Sequence, residues 1–412
     1  MMSTYVDGAM LSTFIDDSGV ATVSRVAAGC RVGLGTIARE WARIGVIGFG
    51  GPPAHINLLR RLCVDQRGWL SADEFEDGVA AVNLLPGPAS TQLAIFCAWR
   101  VAGPAGAVLG GACFILPGLV VILALAAVFL ARRPPLLITG AAAGAGAAVP
   151  AVAAAAALSL VPDSWRRAGE RTGPRLRWAS YATGGALAGA LAGPFLVLVM
   201  AACGLFEVAI RARGVSPLAR RRPAMLPLAA APPAVGGLLA VAWVAVKVGA
   251  LSYGGGFVIV PLMQRDAVTT YHWMTGAQFL SAVALGQVTP GPVVQTVAVV
   301  GYAAAGIGGG LLAAMIAFTP SFCFVLAGAP RFASIRRNPR VQAFLAGAGP
   351  AAIGAIAGST VPLGLELAHL WQLAVLGLAA IWLLGLRRGV VTAIVGSGII
   401  GMIAALAGAP VG

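Results

Sequence analysis

Asn83-Leu-Leu-Pro86-Gly87-Pro88-Ala-Ser90-Thr91-Gln92 and Gln287-Val-Thr289-Pro290-Gly291-Pro292-Val-Val-Gln295-Thr296 are two versions of one pattern, each set in apolar sequence. Pro-Gly-Pro cannot continue an α-helix, because two amide donors are missing and the rings clash with the preceding turn. Proline suits the first turn of a new helix. A helix therefore starts just after Pro88, and another after Pro292, inside an apolar segment. Free N–H groups and the positive dipole end at such a start form an anion site without a charged side chain. Asn83, Ser90, Thr91 and Gln92, with Gln287, Gln295 and Thr296, add neutral polar groups. The alternative is a structural kink satisfied by neighbouring helices.

Outward from these motifs the chain repeats itself. Residues 45–94 align without a gap on 249–298, at the offset that carries Gly50 to Gly254. Trp69 falls on Trp273, Phe75 on Phe279, and Pro86-Gly87-Pro88 on Pro290-Gly291-Pro292. Gly50-Gly51-Pro52 and Gly254-Gly255-Gly256 mark a second helix break in each copy, where glycine allows close approach of backbone to a ligand. The expected organisation is a tail over 1–30, a first transporter repeat over 31–210, a basic linker over 211–222 and a second repeat over 223–412. Two repeats in an apolar chain point to a transporter built around a pseudo-two-fold axis. One apolar span separates Arg132 from the basic loop Asp163–Arg177, so Arg132 and its counterpart loop at Arg331 fall on opposite faces. The repeats are expected to be inverted.

Of 412 residues, 59% are apolar and 10% charged, against about 25% charged in soluble domains. From Ala267 to Pro330 no charged side chain occurs, and a bilayer crossing takes about 20 apolar residues. The fold class is an all-α polytopic membrane protein with roughly ten to thirteen membrane segments. Helices are interrupted at the midplane. Trp178–Ile210, too long for one crossing, reads as two short helices meeting at Ala192-Gly193-Pro194. The net charge of +14 is explained by arginines in short cytoplasmic loops and by anionic lipid, not by nucleic acid. No cleavable signal peptide is read at the N-terminus, and the six cysteines read as packing residues.

Lys247, the single lysine, aligns with Arg43, and Arg61 aligns with Arg265. Lys247 reads either as a snorkelling anchor or as an anion-attracting cation at membrane depth. Arg61 and Arg265 read either as partners in helix-surface ion pairs or as pathway residues. Ser71-Ala-Asp73-Glu74 is a capping box. Glu40, Glu207, Asp266 and Glu366 are candidate proton carriers. His55, His272 and His369 read as packing or interfacial residues. No catalytic constellation, nucleotide loop or metal spacing is present, so neither an enzyme nor a cofactor is expected.

Phe49-Gly-Gly-Pro-Pro-Ala-His-Ile56 and Leu84-Leu-Pro-Gly-Pro-Ala-Ser-Thr-Gln92 resemble blocks of the chromate ion transporter family. Tyr253-Gly-Gly-Gly256 and Thr289–Thr296 are similar to the second half of its long, fused members. The resemblance runs from about residue 31 to the end. It implies a secondary transporter of the bacterial inner membrane, driven by the proton-motive force. It further implies that chromate, a tetrahedral dianion shaped like sulfate, is exported and resistance conferred. The site expected on these readings comprises Arg43, Arg61, Lys247 and Arg265, the glycines at 50, 51, 254 and 255, and the residues of the two polar clusters. Sulfate or another oxyanion is the alternative substrate, and a non-transporting membrane scaffold the alternative class. The expected partners are chromate and lipid, and the repeat architecture is compatible with a homodimer.

Overall fold

A computed structural model describes residues 2–6, 9–15, 21–26, 32–83, 85, 87–131, 133–191, 196–212, 237–252, 254–328 and 338–411. Pro86, Tyr253, Arg132, Arg331, Ala192-Gly193-Pro194 and the linker beyond Ala212 lie outside the described residues. The N-terminal segment forms an antiparallel meander of β1 (Met2–Val6), β2 (Ala9–Ile15) and β3 (Ala21–Val26), in that order. The sequence reading gave this segment no strands. From Leu34 onward every described element is helical.

The first repeat opens with α1 (Leu34–Ile47) and α2 (Pro52–Arg60), the latter running into a π-helical turn, Arg61–Gln66. α3 (Ala72–Val82) and α4 (Ala89–Phe129) follow. The second repeat presents the same parts. α9 (Leu238–Leu251) precedes a 3₁₀ turn, Gly254–Ile259, then α10 (Val260–Gln264) and a π-helical turn at Arg265–Thr270. α11 (Gly276–Val288) and α12 (Thr296–Gly328) complete the match. Capping boxes start α3 and α11, Ser71 with Glu74 and Thr275 with Gln278.

These elements fold as hairpins rather than as straight interrupted helices. Trp41 of α1 stacks on Trp69, past the end of α2, at 6.2 Å, so the chain reverses at Gly48–Gly51. Gly78 of α3 lies against Phe96 of α4, which puts Pro-Gly-Pro at the tip of a second hairpin. In the second repeat Gly286 lies against Thr296 across the tip at 289–292. α4 and α12 are themselves bent double. Ala102-Gly103 and Ala305-Gly306 leave helical geometry, with φ of +66° at Gly103 and +64° at Gly306. Gly110 then packs on Ala98, and Gly301 on Gly309. The longer arms, 104–129 and 307–328, each span more than 30 Å at about 1.5 Å per residue.

The remaining helices are α5 (Leu136–Ala147), α6 (Val149–Arg167), α7 (Thr172–Leu191) and α8 (Leu196–Ala212) in the first repeat. The second repeat ends with α13 (Pro339–Leu365), α14 (Leu370–Ala380) and α15 (Val390–Leu406). Four helical stretches, Ala89–Phe129, Leu136–Arg167, Val293–Gly328 and Pro339–Leu365, are long and apolar enough to cross a membrane. Large apolar side chains such as Val120, Leu187, Met315 and Ile403 are exposed on the outside, which suits a hydrocarbon solvent and not water.

Gly111 sits against Phe322 and Gly310 against Leu123. The homologous arms 104–129 and 307–328 therefore run antiparallel. A two-fold axis relating antiparallel partners is perpendicular to both, so the repeats are inverted. Small residues hold other helices together at close range. Gly185 and Gly189 of α7 meet Ala351 and Ala355 of α13, in parallel. Gly140 and Gly144 of α5 meet Ala405 and Gly401 of α15, antiparallel.

Candidate functional site

Pro-Gly-Pro contains a single backbone donor, the glycine amide, and a buried amide must find a partner. The last carbonyls of a helix are orphaned acceptors. The structure joins these two needs across the repeats. The Gly87 amide donates to the Ser252 carbonyl, just past the end of α9, at 2.6 Å. The Gly291 amide donates to the Gly48 carbonyl, just past the end of α1, at 3.0 Å. Gly48 and Ser252 are equivalent positions of the two repeats, as are Gly87 and Gly291. Each Pro-Gly-Pro tip thus seats on the first-hairpin tip of the other repeat. Among the described residues no backbone hydrogen bond joins the two Pro-Gly-Pro motifs to each other. Gly87 (φ +121°) and Gly291 (φ +96°) hold backbone conformations that favour glycine.

Polar side chains gather at these two junctions. Ser90, Thr91, Gln92, Gln295 and Thr296 are all buried. Gln295 Nε2 donates to the Ile115 carbonyl at 2.7 Å, and Thr296 Oγ1 to the Val293 carbonyl at 2.9 Å. Ser321 faces Gly87, and Gly118 faces the Pro290 carbonyl and Gln295. Thr91 Oγ1, Ser252 Oγ, Gln287 Nε2, Gln295 Oε1 and Ser321 Oγ have no hydrogen-bond partner among the described residues. Orphaned buried polar atoms are costly, and a cluster of them at paired chain breaks suits a polar ligand or water. Gly50 and Gly51 precede α2, and Gly254 and Gly255 open the 3₁₀ turn, so all four lie beside the junctions. Pro88 caps α4, and Pro292 caps a 3₁₀ turn, Val293–Gln295, that leads into α12.

The junctions are not identical. His55 is fully buried, and its Nε2 donates to the Gly48 carbonyl at 2.9 Å, the same oxygen that accepts from Gly291. Its equivalent is Ile259. Gln287, beside the Gly48–Gly291 junction, is buried, whereas its counterpart Asn83 is exposed. Asn83 and Val258 border a cavity of about 560 Å³ that also reaches Arg167, Arg177, Tyr181, Glu207 and Arg211. The Glu207 carboxylate accepts from Arg177 Nε at 2.9 Å, Arg211 Nε at 2.8 Å and the Tyr181 hydroxyl at 3.0 Å.

The four charged candidates do not converge at the tips. Arg43, Arg61 and Arg265 are exposed. Arg61 and Arg265 open the two π-helical turns, which inversion sends to opposite faces. Lys247 is half-buried, forms an ion pair with Asp266, and lies 5.6 Å from the Trp243 ring. The first repeat braces the same hairpin with Glu40 and Arg67 at 2.6 Å. There the acid is on the first helix and the base beyond the turn, the reverse of Lys247 and Asp266. No group of His, Cys, Asp or Glu able to hold a metal occurs among the described residues.

The pattern of the chromate transporter family matches residues 35–208 and again residues 239–402. The chain belongs to that family. It is 33% identical over 331 residues to the chromate transport protein of Cupriavidus metallidurans, covering 78% of this chain and 80% of the relative. It is 30% identical over 367 residues to a probable chromate transport protein of Synechococcus elongatus, covering 85% and 91%. The Pseudomonas aeruginosa chromate transport protein is 29% identical over 344 residues, 79% of each chain. No solved structure matches.

In this chromate transporter family member, sequence reasoning missed Gly48, Ser252, Gly118 and Ser321. None carries a motif, and each enters the junctions only through pairing between repeats. His55 was visible but had no duplicate to single it out. Arg167, Arg177 and Arg211 looked like ordinary loop arginines.

Proposed function

We propose that this protein exports chromate from the bacterial cytoplasm across the inner membrane as a multi-pass secondary transporter driven by the proton-motive force, so conferring chromate resistance. The reading rests on the reciprocal hydrogen bonds that seat each Pro-Gly-Pro tip on the opposite repeat. They bring each helix start, with buried polar side chains around it, to a contact between the two repeats, and inverted-repeat transporters hold substrate at the repeat interface. Non-helical backbone at that depth is tolerated where it is enclosed by protein or lines a cavity. Backbone amides and neutral hydroxyl and amide groups would hold the tetrahedral dianion. Arg43 and Arg61 on one face, and Arg265 in the second repeat, would add positive field along its path.

Orientation follows from charge. Tracing helix directions puts Arg60, Arg67, Arg100, Arg166, Arg167, Arg177, Arg211, Arg340, Arg387 and Arg388 at one face. Arg133 and Arg265 lie at the other. The arginine-rich face is cytoplasmic by the positive-inside rule. The cavity beside Asn83 then opens to the cytoplasm, where an exporter would load. A neutral donor set reads shape and charge without reading the central atom, which favours sulfate as the second substrate reading.

Everted membrane vesicles test this reading, with radiolabelled chromate and competing sulfate, with and without a proton gradient. Gradient-dependent accumulation is expected. Accumulation of sulfate alone would replace the substrate. Silence for both anions would overturn transport and revive a scaffold role.

A further inference from the structure

The cavity beside Asn83 is walled mainly by α6, α7, α8 and α13, and touches the tip region only at Ala80, Asn83 and Val258. Its volume falls within the roughly 300–1,000 Å³ of small-ligand sites. Three arginines line it. Arg177 and Arg211 share one carboxylate, that of Glu207, which is 3% exposed. Asp163, also in the wall, is engaged by Arg166. Arg167 has no ion-pair partner among the described residues. Asn83, Ser164, Trp178, Tyr181 and Gln342 make the rest of its polar lining, and Trp178 Nε1 donates to Ser164 Oγ at 2.9 Å.

The Glu207 carboxylate is held as a bound oxyanion would be. Two guanidinium groups and a phenol aim four hydrogen bonds at its two oxygens. Guanidinium forks match planar and tetrahedral oxyanions alike. A dianion has twice the charge of the carboxylate and more acceptor oxygens, and Arg167 stands beside the cluster with its charge uncompensated.

We propose that this cavity is a second oxyanion site on the arginine-rich side, loaded before the tips, and that Glu207 is its tethered resident anion. The incoming dianion docks on Arg167 and competes with Glu207 for Arg177 and Arg211. In its absence the carboxylate keeps the arginines occupied, so smaller monoanions gain little there. The proposal rests on the transport reading above, since it names a station on the same path.

The test uses the full-length protein in proteoliposomes loaded through the arginine-rich face, with chromate and sulfate as probes. Arg167→Gln removes the uncompensated charge and breaks no ion pair. It is expected to raise KM for chromate on the order of tenfold, the size of one charge-assisted hydrogen bond, with kcat within about twofold. Glu207→Gln frees two arginines and is expected to lower KM and slow turnover. The melting midpoint of purified protein should rise with sulfate in the wild type, and less in Arg167→Gln. Wild-type transport with KM and the sulfate-dependent midpoint both unchanged in Arg167→Gln would overturn the second site alone. Absence of oxyanion transport in the wild type would overturn the function on which it rests.

Discussion

The Gly87 amide reaches across the molecule to the Ser252 carbonyl at 2.6 Å, and that bond has a mirror in Gly291 and Gly48. The pair welds hairpins from different repeats into one central layer. Two-fold symmetry requires the bonds to come in reciprocal pairs, and both are present. Each is worth about 0.5–1.5 kcal/mol net, while a buried amide left alone costs about 1–3 kcal/mol. Pairing the tips is therefore cheaper than leaving either hairpin alone in an apolar surround.

Crowding at the junction is the first point to test. A Cβ at Gly118 would run into the Pro290 carbonyl and Gln295, whereas one at Gly308 meets nothing within 4 Å. Gly118→Val is expected to destabilise by about 1–3 kcal/mol, as overpacking does, and to abolish uptake. Gly308→Ala should leave uptake and melting temperature near wild type. Paired vesicle and thermal-unfolding measurements distinguish them.

The Lys247–Asp266 pair is largely buried, at 14% and 10% side-chain exposure. Removing one partner strands the other charge, at a cost of about 3–5 kcal/mol. Lys247→Gln is expected to destabilise and to weaken anion transport, because an unpaired Asp266 repels the substrate. The double variant Lys247→Gln/Asp266→Asn should recover most of both. A double-mutant cycle on melting midpoint and uptake rate checks this.

Inversion makes a prediction about two residues that match in sequence. Arg61 and Arg265 are both exposed, and the fold sends them to opposite faces. In a background without the native cysteines, Arg61→Cys should react with a membrane-impermeant thiol reagent from the cytoplasmic face only. Arg265→Cys should react from the other face only. Labelling of both from one face would contradict inversion.

Much of this was legible in the chain. Proline chemistry dictates the breaks at Gly87 and Gly291, and the capping box at Ser71 is a local hydrogen-bond pattern. The duplication showed through Trp69 with Trp273 and the paired Pro-Gly-Pro motifs. Chain reversal at the breaks was not legible. A broken helix and a hairpin share one hydrophobic pattern, and packing of Gly78 on Phe96 decides between them. The crossed acceptors Gly48 and Ser252 are backbone carbonyls, which side-chain identity does not mark. Glu207 reads from sequence as a candidate proton carrier, but its arginine partners come from α7 and from its own helix, and only α7 folding against α8 assembles the cluster.

The most direct test of the central claim replaces the two crossing glycines. Gly87→Ala and Gly291→Ala each force a side chain into a positive-φ position, a strain of about 1–3 kcal/mol, and disturb one junction apiece. Chromate uptake into everted vesicles should fall to background in both variants, with the protein still inserted and folded by thermal unfolding. Gly103→Ala, which also has positive φ but open space around it, should keep uptake. Wild-type uptake in Gly87→Ala and Gly291→Ala would show that the crossed tips are not the transport site.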